Sequence, residues 1–98
     1  MNPLRSGKGK LKAWQLVKKG WCQGYYACTK DGVMCEYNDP RAVKWCIMGA
    51  LDKVYPSSSG EAVHKIEKAL GGKSLPLWND AKGRTQAQVV HVLRRLDL

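Results

Sequence analysis

The cysteines and histidines are the side chains of this sequence that could bind a metal ion or act as a nucleophile. They are Cys22, Cys28, Cys35, Cys46, His64 and His91. No two cysteines have the C-x-x-C spacing of a common zinc site, so the sequence predicts no metal site and no cofactor, with an irregular zinc site as the minor alternative. The default interpretation of the thiols is burial as free cysteines. Residues 25–37 are predicted below to form a β-hairpin in which Cys28 lies opposite Cys35. The distance between their Cα atoms in such a pair permits a disulfide.

A cysteine nucleophile needs an imidazole beside its thiolate. Cys46 lies on the apolar stripe of its predicted helix, whereas His64 and His91 lie on the polar sides of two other helices. The chain also lacks the P-loop, HExxH, GxSxG and EF-hand motifs. We therefore predict no catalytic residues and a non-enzymatic protein, and a cysteine-dependent enzyme is the minor alternative.

The segment Trp78-Asn79-Asp80 places an aromatic ring, an amide and a carboxylate between two predicted helices. Asn and Asp side chains hydrogen-bond the backbone of turns, and a tryptophan can enter the core from a loop. These properties favour a structural role. The functional alternative is a polar site formed by Asn79 and Asp80 beside Gln23.

Positive charge is concentrated at the start of the chain. The 98 residues contain 17 Lys and Arg against eight Asp and Glu, a net charge of +9. Residues 1–30 contain seven of the basic residues and no acid. They are Arg5, Lys8, Lys10, Lys12, Lys18, Lys19 and Lys30. Such a segment attracts nucleic acid phosphates, acidic proteins or anionic membrane surfaces, although a solubilising tail remains open.

Length and composition limit the class of protein. The chain is long enough for one domain, and its 44% hydrophobic content is too high for wholesale disorder. The longest apolar run, residues 45–51, is far shorter than the roughly 20 residues of a membrane span. No apolar block follows the basic N-terminus, so the sequence predicts no secretory signal. We therefore expect a cytoplasmic protein and exclude a membrane protein, a collagen-like chain and a dinucleotide-binding domain.

Residues 1–9 show no periodicity and are predicted to form a flexible basic arm, followed by a single mostly helical domain over residues 10–98. Residues 10–19 repeat apolar side chains at helical spacing, and Gly20 is the predicted C-terminal stop. Residues 25–37 favour a β-hairpin with Asp31-Gly32 as a two-residue turn. That register pairs Cys28 with Cys35. It places one group of side chains towards the core: Tyr26, Cys28, Val33, Cys35 and Tyr37.

Asp39-Pro40 is typical of a helix start, which predicts a helix to about Tyr55 with Val43 and Cys46 on its apolar stripe. Trp45 lies off that stripe, and burial beneath the hairpin is expected rather than exposure to a partner. Two capping boxes, beginning at Ser58 and Thr85, predict helices over 58–70 and 85–96, and residues 75–78 connect them. The predicted fold class is mainly α: about four helices in one small domain, with one β-hairpin between the first and second helices.

Three segments, taken together and in order, resemble an uncharacterised bacterial and phage family, a domain of unknown function. They are a GW-x-QG segment at residues 20–24, a WC-x-x-GAL helix at 45–51 and a WND segment at 78–80. The resemblance covers roughly residues 13–96 and implies a bacterial or phage origin and a mostly helical fold. It implies no activity. The motif residues of unknown role are Trp21, Gln23, Gly24, Trp45, Cys46, Gly49, Trp78, Asn79 and Asp80.

The hypothesis drawn from the sequence is a small intracellular binding protein that contacts nucleic acid phosphates through its basic N-terminal segment. The alternative is a phage-type modulator or inhibitor that binds an acidic surface of a host or defence complex. Neither hypothesis identifies a sequence preference or an oligomeric state. The candidate binding residues are Arg5, Lys8, Lys10, Lys12, Lys18, Lys19, Arg84, Arg94 and Arg95.

Overall fold

The computed structural model describes residues 11–98, which form one helix-rich domain with a small antiparallel sheet. The predicted arm at residues 1–9 lies outside the described residues. The elements are α1 (Ala13–Lys19), β1 (Ala27–Thr29), β2 (Met34–Cys35), β3 (Ala42–Trp45), α2 (Ile47–Val54), α3 (Ser59–Ala69), α4 (Leu75–Asn79) and α5 (Gln86–Arg95). The strand order is β2-β1-β3. Over residues 11–98 the prediction of four helices and a hairpin is therefore correct in its helix-rich class but incomplete, since five helices and three strands form.

The predicted first helix is confirmed in α1, which buries Ala13, Leu16 and Val17 against α2 and α5. The far end of the chain holds it in place, because the N–H of Ala13 donates to the carbonyl oxygen of Leu98 at 2.6 Å. Gly20 ends the helix as expected, but in an extended conformation rather than a left-handed one. The need for glycine there is steric, since a Cβ would overlap the carbonyl oxygen of Val43.

The hairpin forms, but its predicted register is wrong by one residue. Cys28 lies opposite Met34, and Ala27 lies opposite Cys35. The loop has three residues because the N–H of Thr29 donates to the carbonyl oxygen of Val33 at 2.8 Å, a bond that encloses residues 30–32. Of the side chains predicted to face the core, Cys28 is buried, and Cys35 and Tyr37 are half-buried against the core. Val33, at the loop end of the hairpin, and Tyr26, just before β1, are instead exposed.

The helix predicted from Asp39 is wrong over its first half. The Asp39 carboxylate accepts from the N–H of Arg41 at 2.8 Å and closes a turn instead of capping a helix. The chain then forms β3, in which Val43 is exposed and Trp45 is buried as expected. Sheet pairing outweighs the helical periodicity here. Trp45 pairs with Ala27 of β1, and its backbone N–H donates to the Gly20 carbonyl oxygen, in the extended chain after α1, at 3.0 Å.

The last three helices follow the sequence more closely. The Thr85 capping box is confirmed, since its hydroxyl accepts from the N–H of Gln88 at 3.2 Å and the Gln88 side chain accepts from the N–H of Thr85. The capping box predicted at Ser58 does not form. The connecting segment at 75–78 is itself the short helix α4. Among residues 11–98, no helix combines the length and the apolar character that a membrane crossing requires.

Gly49 provides a test of the packing between α2 and the loop before β1. In a helix, Gly→Ala usually stabilises by about 1 kcal/mol. A Cβ at Gly49 would overlap the carbonyl oxygen of Tyr26, whereas a Cβ at Gly60 in α3 would meet open space. We expect Gly49→Ala to lower the free energy of unfolding by about 2 kcal/mol or more and Gly60→Ala to raise it by a few tenths to about 1 kcal/mol. Urea denaturation measures both, and equal effects of the two variants would contradict the packing.

Candidate functional site

The side chain of Asn79, at the end of α4, joins three separate segments of the chain. Its Oδ1 accepts from Nε1 of Trp21 at 2.9 Å and from the backbone N–H of Ile47 at 3.0 Å. Its Nδ2 donates to the Cys22 carbonyl at 3.2 Å and to Oδ1 of Asp80 at 2.9 Å. Both lone pairs of the oxygen and both amide hydrogens are used, and the side chain is buried. These contacts therefore favour a structural role for Asn79 over a role in a functional polar site.

Gln23 and Gly24 complete the junction beside Asn79. Nε2 of Gln23 donates to the carbonyl oxygens of Asn79 and Ala81 at 2.9 and 3.1 Å. The N–H of Gly24 donates to Oδ1 of Asp80 at 3.0 Å. The GW-x-QG and WND segments, which lie more than fifty residues apart in sequence, thus bind each other through polar groups. The expectation that Asn79 and Asp80 lie beside Gln23 agrees with this geometry.

Arg84 packs on the same segment rather than with the other basic residues. Its guanidinium lies 4.0 Å from the centroid of the Trp78 ring, and its Nε donates to the Trp78 carbonyl at 2.8 Å. A planar cation over an indole combines cation–π attraction with a hydrogen bond. Arg84 therefore fixes the WND segment, and its contact with phosphate stays a prediction.

The remaining motif residues build the frame around this junction. Nε1 of Trp45 donates to the carbonyl oxygen of Tyr37 at 3.1 Å, which ties β3 to the segment after β2. Cys46, predicted inside a helix, is instead the N-cap of α2, where its Sγ accepts from the N–H of Gly49 at 3.3 Å. Each of these residues has a structural contact that accounts for its type.

The four cysteines are free thiols. Burial raises the pKa of Cys22, and a hydrogen bond with Cys28 raises it further. Burial also raises the pKa of Cys46, although backbone N–H groups at the start of α2 oppose the shift. Both thiols are therefore protonated at neutral pH. Within residues 11–98, no three His, Cys, Asp or Glu side chains converge so as to hold a metal ion.

Basic side chains from the two ends of the domain converge on a groove between α1 and α5, here called the α1–α5 groove. It has a volume of about 380 Å³. Its lining includes Lys18, His91 and Arg94, and no acidic residue among residues 11–98 lines it. Gln86 anchors its floor, because Nε2 donates to the Val17 carbonyl at 2.7 Å and to the Lys18 carbonyl at 3.2 Å. The groove therefore unites basic residues that lie more than seventy positions apart in sequence.

The other predicted basic residues are distributed differently. Lys19 and Arg95 are exposed on α1 and α5. Lys12 forms an ion pair with Asp97, with 3.4 Å between Nζ and Oδ1, so its charge is partly offset. Arg5, Lys8 and Lys10 lie outside the described residues.

A second surface depression, here called the tyrosine cleft, lies beside the hairpin and was missed as a site by sequence reasoning. It has a volume of about 740 Å³, and its lining includes Tyr25, Tyr26, Met34, Glu36 and Tyr37. The exposed fractions of Tyr25, Tyr26 and Met34 are 47%, 50% and 64%, which is high for such large apolar side chains. The sequence pattern assigned Tyr26 to the core face of the hairpin, whereas its side chain is exposed.

The chain is similar to a known family along most of its length. A family model described as a family of unknown function, DUF6197, matches residues 13–96. No curated protein and no solved structure matches the chain.

Substitution of Asn79 tests its role in joining the chain segments. Asn79→Asp replaces an amide that donates to Cys22 and Asp80 with an oxygen that faces the same acceptors, and it adds a buried charge beside the Asp80 carboxylate. We expect it to lower the free energy of unfolding by about 3 kcal/mol or more, against under about 1 kcal/mol for Asn38→Asp at an exposed position. Denaturant unfolding measures the difference, and an Asn79→Asp variant of native stability would refute this role.

Alkylation tests the state of the thiols. Because the raised pKa keeps Cys22 and Cys46 protonated, iodoacetamide at neutral pH should modify both in the native protein at least about tenfold more slowly than it modifies free cysteine. The urea-unfolded chain provides the control and should react at the free rate. Peptide mapping by mass spectrometry assigns each site, and rapid native labelling of Cys22 would instead indicate an activated thiol.

Proposed function

The chain belongs to DUF6197, a family of unknown function, and from its own surface we propose that it binds the phosphate backbone of nucleic acid through the α1–α5 groove. The observation that carries this proposal is the convergence of Lys18, His91 and Arg94 on a groove that no acidic residue of the described part of the chain lines. Cationic side chains that displace counterions from phosphates provide most of the affinity in such complexes.

Arg94 is already positioned in the free protein. Its guanidinium lies 4.6 Å from the centroid of the Trp14 ring. An arginine held over an aromatic ring loses less side-chain freedom on binding and presents a planar donor group to phosphate oxygens. Arg94 is therefore suited to a specific phosphate contact rather than only to long-range attraction.

The chain carries basic residues outside the groove lining as well. Lys19 and Arg95 are exposed on α1 and α5, and the sequence of the N-terminal segment contains Arg5, Lys8 and Lys10. The predicted contact set is therefore the groove and the leading segment together. Lysines and arginines that contact phosphates carry no sequence information directly, so binding should depend weakly on base sequence.

An acidic protein surface is the alternative ligand, because the same positive groove would attract it. Binding to such a surface is the alternative proposal, in which the protein is a phage-type modulator of a host or defence complex. The two ligands differ in their response to salt, since release of condensed counterions makes binding to a nucleic acid steeply salt-dependent.

Charge removal in the groove tests the proposal. We expect Lys18→Gln/Arg94→Gln to weaken binding to a DNA duplex about tenfold or more and to reduce the slope of log K against log salt by about 0.9 for each phosphate that is no longer neutralised. Arg94→Lys should retain most of the charge effect. The control Lys53→Gln/Lys68→Gln removes equal charge from α2 and α3 and should change binding much less.

Fluorescence anisotropy over a salt series, with duplex DNA and single-stranded RNA, makes the measurement. Equal effects of the groove variant and the control on affinity would show that net charge, and not the groove, drives association. If the full chain binds neither DNA nor RNA at low salt, the proposal is wrong. Capture of one acidic protein, abolished by the groove variant but not by its control, would then favour the alternative.

A further inference from the structure

The tyrosine cleft differs in charge from the rest of this basic protein. A small recess shares Tyr25 and Tyr26 with the cleft. Among residues 11–98, no Lys, Arg or His lines the cleft or this recess, whereas Glu36 lines the cleft and Asp80 lines the recess. The neighbouring Arg41 is paired with Asp39, with 3.0 Å between Nη2 and Oδ2, so it adds no net charge. The cleft therefore disfavours phosphate and favours a cation.

Its aromatic side chains favour the same ligand. Three of the four tyrosines of the chain, Tyr25, Tyr26 and Tyr37, line the cleft. A guanidinium or ammonium group is attracted to the face of such rings, and nearby carboxylates increase the attraction. Tyrosine rings alone would suit a nucleobase as well as a cation. The carboxylates in the lining favour the cation.

The strand beside the cleft has an open edge. Within residues 11–98 the strand order is β2-β1-β3, so β2 pairs on one side only, with β1. The Thr29–Val33 hydrogen bond and the pairing of Cys28 with Met34 place Met34 at the alternate position of the ladder, so its N–H and C=O point away from β1. An extended peptide can add to such an edge through backbone hydrogen bonds while its side chains enter neighbouring depressions.

We propose that the open edge of β2 and the tyrosine cleft together bind an extended peptide whose arginine or lysine side chain enters the cleft between the tyrosines and Glu36. Hydrogen bonds to the N–H and C=O of Met34 set the register of the peptide. The tyrosine rings and the carboxylates of Glu36 and Asp80 select its cationic side chain. This site is separate from the α1–α5 groove and does not depend on nucleic acid binding.

An NMR titration of the full chain with acetyl-Val-Arg-Val-amide tests the site. Saturable shifts are expected at the backbone amides of Tyr25, Tyr26, Met34 and Glu36. The matched peptide with citrulline, which has the shape of arginine without its charge, should bind about three- to fivefold more weakly. Equal affinity of the two peptides would overturn the cation assignment. Absence of saturable shifts up to a peptide concentration of about 10 mM, tenfold above a Kd of about 1 mM, would overturn the site.

Matched variants locate the interaction. Glu36→Gln and Tyr26→Leu should each weaken binding of the arginine peptide, whereas Glu61→Gln, at an exposed position on α3, should not. Lys18→Gln/Arg94→Gln should leave peptide binding unchanged, so failure of the nucleic acid proposal would not affect this result. Shifts confined to the α1–α5 groove, or self-association that Tyr26→Leu abolishes, would contradict the peptide site.

Discussion

The buried carboxamide of Asn79 is the interaction on which the arrangement of this domain depends. It bonds Trp21 and Cys22 after α1, Ile47 at the start of α2 and Asp80 after α4. The backbone N–H of Ile47 is one of the amides at a helix start that have no partner within the helix, so Asn79 also satisfies α2 from outside. The position requires an amide because Oδ1 of Asn79 accepts two hydrogen bonds and Nδ2 donates two. An ionised aspartate can only accept hydrogen bonds, and an apolar side chain can neither accept nor donate them.

This junction also borders depressions in the surface of the domain. Asn79 and the Asp80 carboxylate form part of the recess behind the tyrosine cleft, while the Asp80 carboxylate is held by the N–H of Gly24. On the other side, Arg84 covers Trp78 and so is committed to the protein itself. The WND segment is therefore a scaffold that borders two depressions, the recess beside the tyrosine cleft and a depression whose lining includes Lys73, Leu77 and Arg84.

The features predicted from sequence were those that local spacing determines. The periodicity of α1 and α5 and the Thr85 capping box depend on residues three or four positions apart. The hairpin register failed because Asp31-Gly32 suits both two- and three-residue loops, and Thr29 selects the longer one. The helix at Asp39 failed because its competitor is pairing with β1, a contact between distant segments. The partners of Asn79 are equally distant, so the WND segment could be recognised as polar but its bonds could not be predicted.

The net charge of +9 conceals two surfaces of opposite character. Lys18 and Arg94 meet in the α1–α5 groove because the helices that carry them pack side by side. The tyrosine cleft beside the hairpin is lined by three tyrosines and Glu36, and no basic residue of the described part of the chain lines it. An anionic ligand drawn to the groove would be repelled by the cleft, and a cationic side chain would show the reverse preference. Because the protein as a whole repels cations at long range, a cationic ligand of the cleft must gain its affinity from close contacts, which makes shape and register, rather than total charge, the basis of any selectivity there.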